Sequence, residues 1–117
     1  MDPTIQSLTA ALRAFAAERE WEQFHSPKNL ASALTVEAAE LLEQFQWLTE
    51  DQSRQLDDAR LAAVRHEVAD VFLYLLQLAD KLQIDVGAAA QEKLALNARK
   101  YPADQVRGSS RKYDQDR

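Results

Sequence analysis

Two acidic pairs stand out in this 117-residue chain, Glu37-Ala-Ala-Glu40 and Glu67-Val-Ala-Asp70. Side chains at i and i+3 of a helix project from one side, so each pair offers two carboxylates about one turn apart. Advancing roughly 100° per residue, Glu37 falls inside an apolar stripe beside Leu30, Leu41 and Leu48. An ionised carboxylate held against aliphatic groups is costly unless a cation compensates it. Glu40 borders that stripe, and Glu67, Asp70 and Tyr74 share a narrow sector of their own helix. If the two helices run antiparallel, four carboxylates converge. Hard oxygen ligands in that number suit Mg2+, with Mn2+ as the alternative, better than zinc or iron. The competing reading is two solvated helix faces, and Gln77 and Lys81 on the Glu67–Asp70 side favour it. On the residues alone both readings stand.

Other chemistries fare worse. A di-iron carboxylate bundle needs two helical E-x-x-H copies. Here Glu22-Gln23-Phe24-His25 has the spacing once, in a segment that reads as a loop, and His66 has Ala63 three residues before it. Two histidines and scattered serines give no local Ser/His/Asp arrangement. Around the acidic pairs, Trp21, Phe24, His25, Trp47 and Tyr74 offer flat surfaces suited to stacking on a nucleobase, or else simply pack helix ends. Lys93, Asn97, Arg99, Lys100 and Tyr101 gather late in the last helix, and Arg107, Arg111 and Lys112 follow. Such groups neutralise a polyphosphate, or serve only as helix-dipole partners and solvated charges.

The elements that must position these residues are helices, and no segment reads as a strand. Asp2 as N-cap with Pro3 behind it opens a helix to about Arg19. Ser26-Pro27 opens a second, with Leu30, Leu34, Ala38, Leu41, Phe45 and Leu48 on one stripe. A polar connector from Thr49 to Leu56 leads to Asp57-Asp58 and a third helix reaching about Leu82; the fourth runs from Asp85 to Tyr101, where Pro102 stops it. The spacing thus predicts an all-α, four-helix domain over residues 1–102 with a basic and polar tail over 103–117. The third helix is apolar around most of its circumference, more than one small protomer can hide, which predicts an oligomer.

Composition narrows the partners. A net charge of −5 argues against a general nucleic-acid or anionic-membrane binder. The absence of cysteine excludes disulfides, thiolate zinc sites and cysteine nucleophiles. The two glycines, Gly87 and Gly108, cannot form a glycine-rich phosphate loop, so metal ions, Lys or Arg must hold any phosphate. No signal peptide and no membrane span is legible, so a cytoplasmic protein is the expectation.

These features together resemble the MazG-like, all-α nucleoside triphosphate pyrophosphohydrolases of the dCTP pyrophosphatase type. The family pattern of E-x-x-E, a spacer and E-x-x-D stands as Glu37, Glu40, Glu67 and Asp70. The stretch Ala17-Glu18-Arg19-Glu20-Trp21-Glu22-Gln23-Phe24-His25-Ser26-Pro27 is similar to the subgroup's entry loop. Lys93-x-x-x-Asn97-x-Arg99-Lys100-Tyr101-Pro102 and Arg107-Gly108-Ser109-Ser110 continue the likeness. The resemblance implies a homotetramer built as a dimer of dimers, and Mg2+ at the four carboxylates. It also implies hydrolysis of a dNTP to dNMP and pyrophosphate as nucleotide-pool house-cleaning. Trp21, Phe24, His25, Trp47 and Tyr74 would line the base and sugar site, and Lys93, Asn97, Lys100, Tyr101, Arg107 and Lys112 would meet phosphates. The resemblance implies dCTP or a modified pyrimidine dNTP as substrate. Leu12 stands where the subgroup carries a histidine that reaches the base, a departure from strict cytosine selectivity that points to a different or modified pyrimidine or a looser specificity. Water attacks in line at the α–β phosphoanhydride in this scheme, with Glu37 the candidate to assist. The alternatives are a catalytically inactive nucleotide-binding module and a structural helical adaptor.

Overall fold

The structure is a computed structural model and describes residues 2–110, all of whose regular structure is helical. Six α-helices follow in order: α1 Pro3–Glu18, α2 Pro27–Glu43, α3 Glu50–Arg54, α4 Asp58–Lys81, α5 Val86–Lys100 and α6 Ala103–Val106. A single 3-10 turn, Glu22–Phe24, lies between α1 and α2. The four expected helices are α1, α2, α4 and α5.

Side-chain caps decide where the long helices begin, because the first backbone N–H groups of a helix lack intrahelical partners. Asp2 accepts from Thr4 N at 2.8 Å and Ser26 from Asn29 N at 3.1 Å. Asp57 accepts from Arg60 N at 2.8 Å and Asp85 from Ala88 N at 3.1 Å. The connector after α2 contains the short α3, closed by a reciprocal capping box between Thr49 and Gln52. The second helix is shorter than its apolar stripe implied. It ends at Glu43, after which Phe45 N donates to Leu42 O and Leu48 N to Phe45 O, tighter i→i−3 bonds. The Arg60 guanidinium donates to Gln44 O there, giving a carbonyl outside the regular ladder a tertiary partner. The tail, too, is not wholly irregular, since Pro102 leads into α6.

The chain divides into two compact units, residues 2–84 and the segment from Asp85 onward. In the first, α2 and α4 form the main packed pair, with α1 against α4. Gln44 near the end of α2 meets Arg60 near the start of α4, while the earlier Glu37 meets the later Glu67, so the two helices run antiparallel. Leu30 and Leu76 are almost fully buried, joined by Ala16 and Ala79 and by the buried hydroxyl residue Thr9. Arg13 clasps Asp80 through both carboxylate oxygens, tying α1 to α4; that guanidinium holds the Asp80 carboxyl below its ordinary value. Leu61, Val68, Phe72 and Leu75 of α4, with Leu82 just past its end, are exposed. Four of these five recur every seventh residue. In the second unit, Asp85 caps α5, whose last turn carries Arg99 and Lys100, matching the negative end of the helix dipole.

Candidate metal centre and adjoining cleft

The α2–α4 pairing brings the two acidic pairs together. Glu37, Glu67 and Asp70 each place a carboxylate oxygen within 4.8 Å of the others. Glu40 stands close enough to both Glu37 and Glu67 to disfavour their ionisation. The Glu37 carboxyl is pushed up to about 7, first by burial, then by Glu40, with Asp70 and Glu67 adding to it. Glu67 is raised for the same reasons, burial first and then the charges of Glu40 and Asp70. Glu37 Oε2 and Glu67 Oε2 are both shut off from solvent and have no hydrogen-bond partner. Buried acceptors are seldom left without a donor. An all-oxygen set of mutually repelling carboxylates with two orphaned atoms therefore fits a hard divalent cation.

Beside this centre lies an open cleft of about 410 Å3 between α1, the loop after it and α4. Leu8, Ala11, Leu12, Phe15 and Leu73 form its apolar walls. Trp21, His25, Asp70, Tyr74 and Gln77 supply aromatic and polar groups. Asp70 thus belongs to both the acidic centre and the cleft. Local geometry sets Trp21 in place. Glu20 adopts a left-handed backbone, φ 54°, and Trp21 N donates back to Ala16 O at 2.9 Å, which reverses the chain at the end of α1. The indole then meets the Phe15 ring edge-on at 5.7 Å, and the Arg19 guanidinium lies 3.5 Å over that same phenyl ring. Asn29 Nδ2 donates to Phe24 O, pinning the 3-10 turn ahead of His25. A recess of about 20 Å3, room for one water, adjoins the cleft and shares Leu12, His25 and Gln77 with it.

Of the residues expected from sequence, the structure gathers Glu37, Glu40, Glu67 and Asp70 in one place and sets Trp21, His25 and Tyr74 in the adjoining cleft. Phe24 and Trp47 do not line that cleft, and Trp47 is 88% exposed. Lys93, Asn97, Lys100, Tyr101 and Arg107 lie in the second unit, and Lys112 falls outside the described residues. The α1 residues Leu8, Ala11 and Phe15, with Leu73 and Gln77, are lining groups that the sequence reading did not assign. For Gln77 a signal exists, three residues after Tyr74 and seven after Asp70 on one helix, but the same spacing suits a solvated face.

Comparison with known proteins accounts for this arrangement. The model of the MazG-like family matches residues 33–115. The chain belongs to the MazG-like family. This MazG-like chain is 42% identical to human dCTP pyrophosphatase 1 over 114 residues, covering 96% of itself and 67% of the human protein. To the mouse dCTP pyrophosphatase 1 it is 40% identical, with 96% and 67% covered. Among solved structures it is similar to a pyrophosphatase from Archaeoglobus fulgidus, at a TM-score of 0.81 and 40% identity over 87% of this chain and 95% of that one. No helix among the described residues of this MazG-like chain is long and apolar enough to cross a membrane.

Proposed function

We propose that this chain hydrolyses a deoxynucleoside triphosphate to the monophosphate and pyrophosphate, with Mg2+ as its metal and dCTP or a modified pyrimidine dNTP as its substrate. One observation carries the reading: the acidic centre, with its two buried and unpartnered oxygens, opens through Asp70 into a cleft faced by Trp21, His25 and Tyr74. The kinship with dCTP pyrophosphatases supports it. The enzyme is a hydrolase of nucleoside triphosphates, and the two ends of such a molecule need different surroundings. The phosphates need countercharge; the base needs flat, partly apolar surfaces.

Glu37, Glu40, Glu67 and Asp70 would hold the metal, which when bound supplies the positive charge that offsets the triphosphate and its transition state. Glu37 suits the role of proton acceptor, because its Oε2 is shielded from solvent and engaged by no donor. Water oxygen bonds to phosphorus at the α–β phosphoanhydride, the bridging P–O bond breaks, pyrophosphate leaves and Glu37 retains the proton. Trp21 and Tyr74 would flank the base, with Phe24 and Trp47 as further candidates. Lys93, Asn97, Lys100, Tyr101, Arg107 and Lys112 are proposed to meet phosphate. The exposed apolar row of α4 supports association, proposed as a dimer of dimers, and the proposed setting is the cytoplasm. A panel of dNTPs and NTPs read by pyrophosphate release tests the assignment. Mg2+-dependent release, abolished by chelation, is expected; no release from any nucleotide would overturn it.

A further inference from the structure

We propose that Gln77 reads the nucleobase, its side-chain carbonyl accepting a hydrogen bond from an exocyclic amino group and so favouring a 4-amino over a 4-oxo pyrimidine. The inference rests on the hydrolase reading of the site and assigns one residue within it. Asp70, Tyr74 and Gln77 stand at i, i+4 and i+7 on α4 and all line the cleft. At 1.5 Å per residue they follow one helix face over about 10 Å. Asp70 belongs to the acidic centre that takes the phosphates, so a nucleotide laid along this face carries its base past Tyr74 toward Gln77. The water-sized recess that adjoins the cleft shares Gln77 with it, together with Leu12 and His25.

The orientation of the amide gives the preference its sign. Gln77 Nε2 donates to Leu73 O at 3.5 Å, a long contact. It still decides which way the group faces, because the flipped amide would set two carbonyl oxygens against each other. With Nε2 turned to Leu73 O, Oε1 has no hydrogen bond of its own among the described residues. Gln77 is half-buried, and the neighbouring Leu12 and Leu73 side chains offer no donor. An acceptor in that setting gains from a ligand that brings a donor and penalises one that brings another acceptor. A cytosine-type base brings an amino group at position 4; a uracil-type base brings an oxygen.

Comparing dCTP with dUTP isolates that difference. The wild-type enzyme is expected to favour dCTP in kcat/KM. Gln77→Leu should lower kcat/KM for dCTP about tenfold, mostly through KM, and raise that for dUTP as the opposed acceptor is removed, so that the preference collapses. Calorimetric affinities for the α,β-imido analogues of dCTP and dUTP should move in parallel, and Gln77→Ala carries the same comparison should Gln77→Leu not fold. Equal use of dCTP and dUTP by the wild type, or a preference that survives Gln77→Leu, overturns the assignment while leaving the hydrolase intact. Failure to release pyrophosphate from any nucleotide defeats the hydrolase reading, and this one with it.

Discussion

The acidic centre and the cleft share Asp70 yet are built on opposite physical principles. The centre sets like charges together, two of them with buried oxygens that nothing in the protein satisfies. The cleft's walls are instead groups already supported by the protein: Trp21 on Phe15, Phe15 under Arg19, and the turn ahead of His25 pinned by Asn29. One region is proposed to be completed by a cation; the other is already built from protein groups alone. Damage to the first should therefore remove the reaction, and damage to the second should weaken binding.

The largest expected effect is at the centre. Glu67→Ala or Asp70→Ala should lower kcat by about 10³-fold or more, by the scale of lost metal and electrostatic catalysis, with circular dichroism showing the helices intact. Near-normal turnover in either variant would break the comparison. Next comes metal removal as a function of pH. The Glu37 carboxyl titrates near 7 in the folded, metal-free protein against an ordinary value of 4.5. The folded state thus holds a proton that the unfolded state gives up. That contribution to stability is fully present below 4.5 and is lost as pH rises through 7. Glu67 is shifted in the same direction. In EDTA the melting temperature should fall across this window, and the gain on adding Mg2+ should grow with pH, since the cation then replaces the departing protons. A Mg2+ increment that is flat from pH 5 to 8 would contradict this.

The cleft gives smaller numbers. Trp21→Ala should raise KM about tenfold or more, the scale of one lost base–aromatic stack, with kcat changed far less. An equal loss in kcat would mean that the indole acts on the chemistry. Smallest of all, Glu20→Gly relieves a left-handed backbone position at the end of α1. Thermal denaturation should show it more stable by about 0.5–1 kcal/mol with unchanged kinetics.

The same contrast explains what could be read from sequence. Glu37, Glu40, Glu67 and Asp70 were legible because i, i+3 spacing fixes direction on a helix, and Glu37 sat where an unpaired charge does not belong. Helix starts were legible at Asp2, Ser26, Asp57 and Asp85, since a cap is a local device. The aromatic set was legible from ring shape and again from the family likeness; Trp21, His25 and Tyr74 do share the cleft, and Phe24 and Trp47 do not line it. What was illegible depends on tertiary partners. No local pattern says that Arg60 takes the Gln44 carbonyl where α2 gives way to tighter turns. Leu8, Ala11 and Phe15 read as an ordinary helix, and only the approach of α1 to α4 turns them into a wall. The Thr49–Gln52 capping box was a local signal for α3 that a reading of the segment as polar connector passed over.

That one carboxylate, Asp70, serves both regions constrains how such an enzyme can change its diet. Six of the ten residues that line the cleft, proposed to face the base, come from α1 and the turn after it, which carry none of the four acidic groups. Replacing residues there can retool selectivity while the hydrolytic engine on the α2–α4 pair stays as it is. A move of Asp70 itself would disturb recognition and turnover in one stroke. New specificities should therefore be sought upstream of Pro27 and at Gln77, with Asp70 itself left as a fixed datum.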